Sequence, residues 1–248
     1  MRRPTGPGSS EITRRRYFVD FVVLGGWLVV LVLAGIALGS LVAGPFARVL
    51  YRSVDDPLNR YLWIHRHAAG IAQANGVSDI ATLPVAGLIA MSAASFFALR
   101  RHALEPFLQF GAAFLGAGVI TVSVRFAVTR PSEYGHDKGF PSGHVMLAVT
   151  VFGMLAVYAA DATSSRALRR SAVGVLTLVV MAVAAARLLD HAPSDVFGSI
   201  VLGAAWVYAI ARHGRRSGRP DRVIDVSTLE TRQRHRFGNR GYAGADQQ

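Results

Sequence analysis

Six apolar runs of nearly bilayer-spanning length lie near residues 18–42, 79–99, 106–128, 144–160, 171–189 and 194–211. Crossing the hydrocarbon core takes about 20 helical residues, and lipid offers nothing to satisfy an open backbone, so runs of this kind fold as helices. The expected fold class is all-α: a polytopic membrane protein built as a six-transmembrane-helix bundle. The first run has the basic flank Arg14-Arg15-Arg16 and an Ala-Leu-Gly segment, which together resemble a cleaved signal peptide. It is too long for an apolar signal core, and a retained helix is expected.

Composition narrows the partners. Hydrophobic residues make up 52% of the chain and there is no cysteine, so an ordinary soluble domain, a disulfide framework and a thiolate metal site are all excluded. The net charge of +12 comes almost wholly from arginines placed beside apolar runs and at the termini. Anionic lipid headgroups, not nucleic acid, are the expected counterpart of such a distribution.

The chain divides into a disordered basic tail over residues 1–16, a membrane domain over 17–212 and a second disordered basic tail over 213–248. Within the membrane domain, residues 45–77 form the longest connection. This piece carries Asp55-Asp56-Pro57, Tyr61 and Trp63 and is expected to lie along the outer membrane surface, where Tyr and Trp concentrate. Arg14 to Arg16, Arg100-Arg101, Arg166, Arg169, Arg170 and the C-terminal arginines fall on one side of a six-span layout. By the positive-inside tendency that side is cytoplasmic, which places both termini inside a cell membrane. The arginine bias fits a GC-rich bacterial source.

Three polar groups then meet on the outer face, where the active site is expected: Arg130-Pro131, Pro141-Ser142-Gly143-His144 and His191-Ala192-Pro193-Ser194-Asp195. Polar groups gathered at the mouth of a helix bundle are costly to bury without a use. A helix beginning at Ser142 aims its free amides and the positive end of its dipole outward, a seat for phosphate that Gly143 leaves open. His144 on the same turn is placed to give a proton to a leaving oxygen. The competing reading is a serine N-cap with an incidental histidine. Pro193 starts a helix, so Asp195 falls in its first turn and can hold one ring nitrogen of His191 while the other attacks. Alternatively Asp195 merely caps the helix. Arg130 has the planar fork that suits phosphate oxygens, although an arginine at a span end also serves as a headgroup anchor. Arg125 and Arg187 lie deeper in their spans, where a charge is expensive.

Together these motifs resemble the type 2 phosphatidic acid phosphatase family, membrane lipid phosphate phosphatases related to vanadium haloperoxidases. The resemblance covers roughly residues 120–200, through Arg130-Pro131, Pro141 to His144, and His191 with Asp195. It implies that His191 is the nucleophile forming a phosphohistidine, Asp195 its orienting partner and His144 the general acid, with Arg130, Ser142 and Gly143 holding the phosphoryl oxygens. It implies no cofactor and no metal, since arginines and helix-end amides would stabilise the charge that a cation handles elsewhere.

Two departures stand out. The family's lysine seven positions before the first arginine is replaced by Ser123, with Arg125 two residues on, and its arginine six positions before the nucleophilic histidine is replaced by Ala185, with Arg187 two residues on. Two residues turn a helical side chain by about 200°, so the roles do not transfer by register alone. Arg125 and Arg187 are carried as candidate phosphate ligands, and Asp190 as a competing orienter. The expected activity is hydrolysis of a lipid phosphate or lipid diphosphate by a metal-independent phosphatase. By the resemblance, undecaprenyl diphosphate, phosphatidic acid, phosphatidylglycerol phosphate and polyprenyl-linked sugar phosphates are the candidate substrates. Phosphotransfer to another hydroxyl and non-catalytic lipid-phosphate binding are the alternatives.

Overall fold

The computed structural model describes residues 8–44, 47–65, 67–128 and 139–217, and among these there is no strand. The helices are α1 (Gly8–Ala43), α2 (Ala47–Leu50), a π-helical turn (Tyr51–Asp55), α3 (Asp56–His65), α4 (Ala68–Asp79), α5 (Leu83–Arg101), α6 (Glu105–Ala127), α7 (Gly143–Asp161), α8 (Arg166–Arg187) and α9 (Pro193–Ser217). One compact unit ends at Gly214; of the unit that begins at Arg215, only the end of α9 is described. Six helical stretches are long and apolar enough to span a bilayer, one of them running from Ala68 to Arg101 across the α4–α5 junction. The protein is a multi-pass membrane protein.

Helix boundaries follow local chemistry. Thr82 precedes α5, which has Pro84 in its first turn and ends at His102 in the left-handed conformation (φ 49°). Ser165 caps α8 by accepting from the Leu168 amide at 3.4 Å. Helix also reaches beyond the apolar runs. Residues 8–16 belong to α1 and 213–217 to α9, so helix extends into both segments read as disordered tails. The longest connection also contributes more than a surface run: residues 68–79 form α4, which packs against α8.

The core is built on α5, α6, α7 and α9. Phe97, Phe110 and Tyr158 pack ring against ring at one end, while Ile120, Val124, Met146, Met154 and Trp206 continue the buried column. Small residues set the helix spacing, as they do where lipid supplies no hydrophobic drive between helices. Gly116 lies directly under the Trp206 indole, whose Nε1 donates to the Ala112 carbonyl at 3.1 Å. Leu33, Leu88, Leu115, Phe126 and Leu178 face outward, as lipid-facing positions should.

A second apolar cluster bears directly on function. Val145, Val149, Ala184 and Val196 pack together with Leu188 and Ile200. It fastens the start of α7, the end of α8 and the start of α9 into one corner, so the polar residues next to them in sequence converge.

Candidate active site

Phe140 seats the loop that enters α7. Its ring is fully buried between α1 and α9, where a side chain added at Gly39 or Gly198 would run into it. The next residue is held from α6: Arg125 donates from Nε at 3.0 Å and Nη2 at 2.9 Å to the Pro141 carbonyl. Ser142 then stands at the N-cap of α7 with extended backbone (φ −70°, ψ 114°) and makes no side-chain capping bond. Its hydroxyl is buried and has no hydrogen-bond partner among the described residues. The carbonyl of Ser142 accepts the first helical bond, from Met146 at 2.9 Å, so the amides of Gly143, His144 and Val145 precede that ladder at the positive end of the helix. A Cβ at Gly143 would come within 3.7 Å of Arg125 Nη2. Arg125 itself remains exposed, and His144 is half-buried.

Arg187, the last residue of α8, is buried. Its Nη1 pairs with Asp190 at 3.2 Å and reaches Ser78 Oγ at 3.5 Å, while Nε and Nη2 have no partner among the described residues. The chain turns back at once, with the His191 amide donating to the Arg187 carbonyl at 2.9 Å. His191 and Asp195 are both buried, four positions apart across the start of α9. Asp195 and Arg187 are also the charges that act on the Arg125 guanidinium. Two helix starts, two arginines and the His191/Asp195 pair thus share one corner of the bundle. Such a corner attracts an anion and offers it N–H donors. Among the described residues, no group of three or more His, Asp or Glu side chains is placed to hold a metal ion.

This is also the part of the chain that known proteins share. Residues 121–219 match the sequence model of the PAP2 superfamily. The PAP2 region contains every residue of the corner just described except Ser78. A solved structure with a similar fold is the crystal structure of a transmembrane PAP2-type phosphatidylglycerolphosphate phosphatase from Bacillus subtilis. It superposes with a TM-score of 0.65 at 15% identity, over 77% of this chain and 98% of that one. No curated protein matches the sequence.

Within the PAP2 region the structure brings Arg125, Ser142, Gly143, Arg187 and Asp195 into this corner, with His144 and His191 adjoining them in the chain. Arg130 and Pro131 lie outside the described residues. The two displaced cations have distinct placements. On α8 the family position Ala185 is exposed while Arg187 is buried, so moving the arginine by two residues puts it on the inward face. On α6 the long Arg125 side chain reaches the Pro141 carbonyl, so part of its donor capacity goes to the protein. Asp190, the competing orienter, pairs with Arg187. Sequence reasoning missed two contributors outside the PAP2 region. Ser78 supports Arg187, and Asp55 accepts from Ser194 at the head of α9. Their only sequence signal was a polar residue in a membrane-adjacent segment.

Proposed function

We propose that the protein is a membrane lipid phosphate or lipid diphosphate phosphatase working through a phosphohistidine at the outer leaflet. The observation that carries this reading is a set of buried donors beside the family motifs. Ser142 Oγ and Arg187 Nε and Nη2 lack hydrogen-bond partners among the described residues, in the same corner as the amides of α7. Buried polar groups are ordinarily satisfied, and a phosphoryl group would satisfy all of these at once.

In the proposed reaction, a ring nitrogen of His191 attacks phosphorus as the bond to the lipid oxygen breaks. Asp195 holds the imidazole in the attacking orientation and offsets its developing charge. His144 gives its proton to the departing lipid oxygen. Water then attacks the phosphohistidine, His144 takes a proton from it, and the nitrogen–phosphorus bond breaks to release phosphate. Arg187, Arg125, Ser142 and the Gly143 amide hold the equatorial oxygens, with Arg130 as the motif's further cation. These groups supply the positive charge that a metal would otherwise bring, and the reaction is assigned as metal-independent. A six-span bundle suits a substrate whose tail stays in the bilayer, such as a polyprenyl diphosphate, phosphatidic acid or phosphatidylglycerol phosphate.

The test is phosphate release from a panel of these lipids by detergent-purified protein, with and without a chelator. Release that survives chelation and is lost in His191→Ala supports the reading. Inactivity across the panel, or an equally active His191→Ala protein, refutes hydrolysis; lipid binding without turnover would favour the non-catalytic alternative. Release that rises when an acceptor alcohol is supplied, with phosphate found on that alcohol, would favour phosphotransfer.

A further inference from the structure

Helix α9 carries Asp195 in its first turn, and the side chain at its N-cap position has no polar atom. The residue before Pro193 is Ala192, which offers only its carbonyl, accepting from the Asp195 amide at 2.9 Å and the Val196 amide at 3.2 Å. The cap comes from 139 positions away. Asp55, at the end of the π-helical turn, accepts from the Ser194 amide through Oδ1 at 3.0 Å and from the Ser194 hydroxyl through Oδ2 at 2.7 Å. Asp55 is fully buried, at 0% exposure, so its carboxylate is held by such bonds and not by solvent. A carboxylate at a helix N-terminus also meets the positive end of the dipole.

Ser194 is the neighbour of Asp195, and the grip uses both of its donors. A bidentate hold on one residue fixes the rotation of that turn as well as its position. Asp195 lies on this turn, and His191 immediately precedes it.

We infer that Asp55 is a positioning residue for phosphoryl transfer, setting the direction from which Asp195 meets His191. The inference rests on the phosphatase reading for its kinetic consequence, though not for its structural one. Misplacement of a catalytic group by about 1 Å costs roughly 100-fold in rate, with little effect on binding of the non-reacting lipid.

The experiment pairs local hydrogen exchange with kinetics on the full chain in nanodiscs, comparing wild type with Asp55→Ala, Asp55→Asn and Ser194→Ala. Exchange in the peptide covering residues 192–199 should accelerate in Asp55→Ala while α7 stays protected, and kcat should fall by about 100-fold with KM changed by less than about threefold. Asp55→Asn keeps an acceptor for the Ser194 amide and a donor for its hydroxyl, and should restore most of both. Ser194→Ala keeps one of the two bonds and should fall between. Adding Ser194→Ala to Asp55→Ala should cost nothing further. Unchanged exchange at 192–199, unchanged kcat, or additive losses in the double variant would overturn the inference. Should Asp55→Ala fail to fold, the ranking of Asp55→Asn above Ser194→Ala decides. If wild type releases no phosphate from any lipid, the phosphatase reading fails, while the exchange result still decides whether Asp55 holds α9.

Discussion

Arg125 closes a two-pronged hydrogen bond on the Pro141 carbonyl, at 3.0 Å from Nε and 2.9 Å from Nη2, and so ties the third spanning helix to the entry of the fourth. The bond aims the Ser142–Gly143 segment, because the carbonyl it grips is one peptide before the helix start. Lysine cannot reproduce the fork. Arg125→Lys is therefore expected to lose most phosphate release while keeping its charge, and Arg125→Ala to lose about 1 to 3 kcal/mol of stability as well. Thermal unfolding in detergent alongside phosphate release checks both; a fully active Arg125→Lys protein would show that charge alone suffices.

Ser142 separates two readings of the same motif. A capping serine replaced by alanine costs about 1 kcal/mol. Here the hydroxyl is buried without a partner among the described residues, so Ser142→Ala should leave the unfolding temperature unchanged or raise it. Loss of a transition-state donor should meanwhile lower kcat by about 100-fold. A drop in stability with normal turnover would return the residue to an ordinary cap.

Arg187 makes a similar separation on α8. Lysine at this position keeps the charge that pairs with Asp190 but removes the guanidinium donors Nε and Nη2, which have no partner among the described residues. Arg187→Lys should fold nearly as well as wild type and lose catalysis. Arg187→Ala leaves Asp190 without this cation and should be destabilised too, by about 3 kcal/mol at most, because Asp190 is itself partly exposed. Circular dichroism melts and phosphate release distinguish the two variants.

How much of this was legible before the structure depends on the range of each interaction. The six spans were readable because apolar length is a local property, and the corner could be assembled because Pro141 to His144 and His191 to Asp195 are compact motifs. Arg187 was harder. Whether position 185 or 187 faces inward is set by how α8 rotates against α4 and α7, which no local pattern records. Asp55 was not legible as a cap: in its own neighbourhood it reads as part of an Asp-Asp-Pro turn, and its partner Ser194 lies 139 positions on. Phe140 stood inside the central motif, yet its role needs Gly39 and Gly198 on two other helices. The helix extending back to Gly8 was hidden by a polar, glycine-bearing segment whose composition favours disorder.

The outer-face placement proposed for the site rests on arginine distribution and is testable apart from chemistry. A cysteine introduced at Ser132, in a chain that has none of its own, should react with a membrane-impermeant maleimide added to intact cells. Reaction only after permeabilisation would invert the topology and move the site to the cytoplasmic face.

The central claim is a covalent bond to His191. Protein mixed with a lipid phosphate labelled in its phosphoryl group, then quenched in alkaline detergent, should carry label on the peptide containing residue 191. That label should be released by acid and be absent from His191→Ala. Phosphate release without any trapped label at this peptide, or label that persists in His191→Ala, would contradict the account.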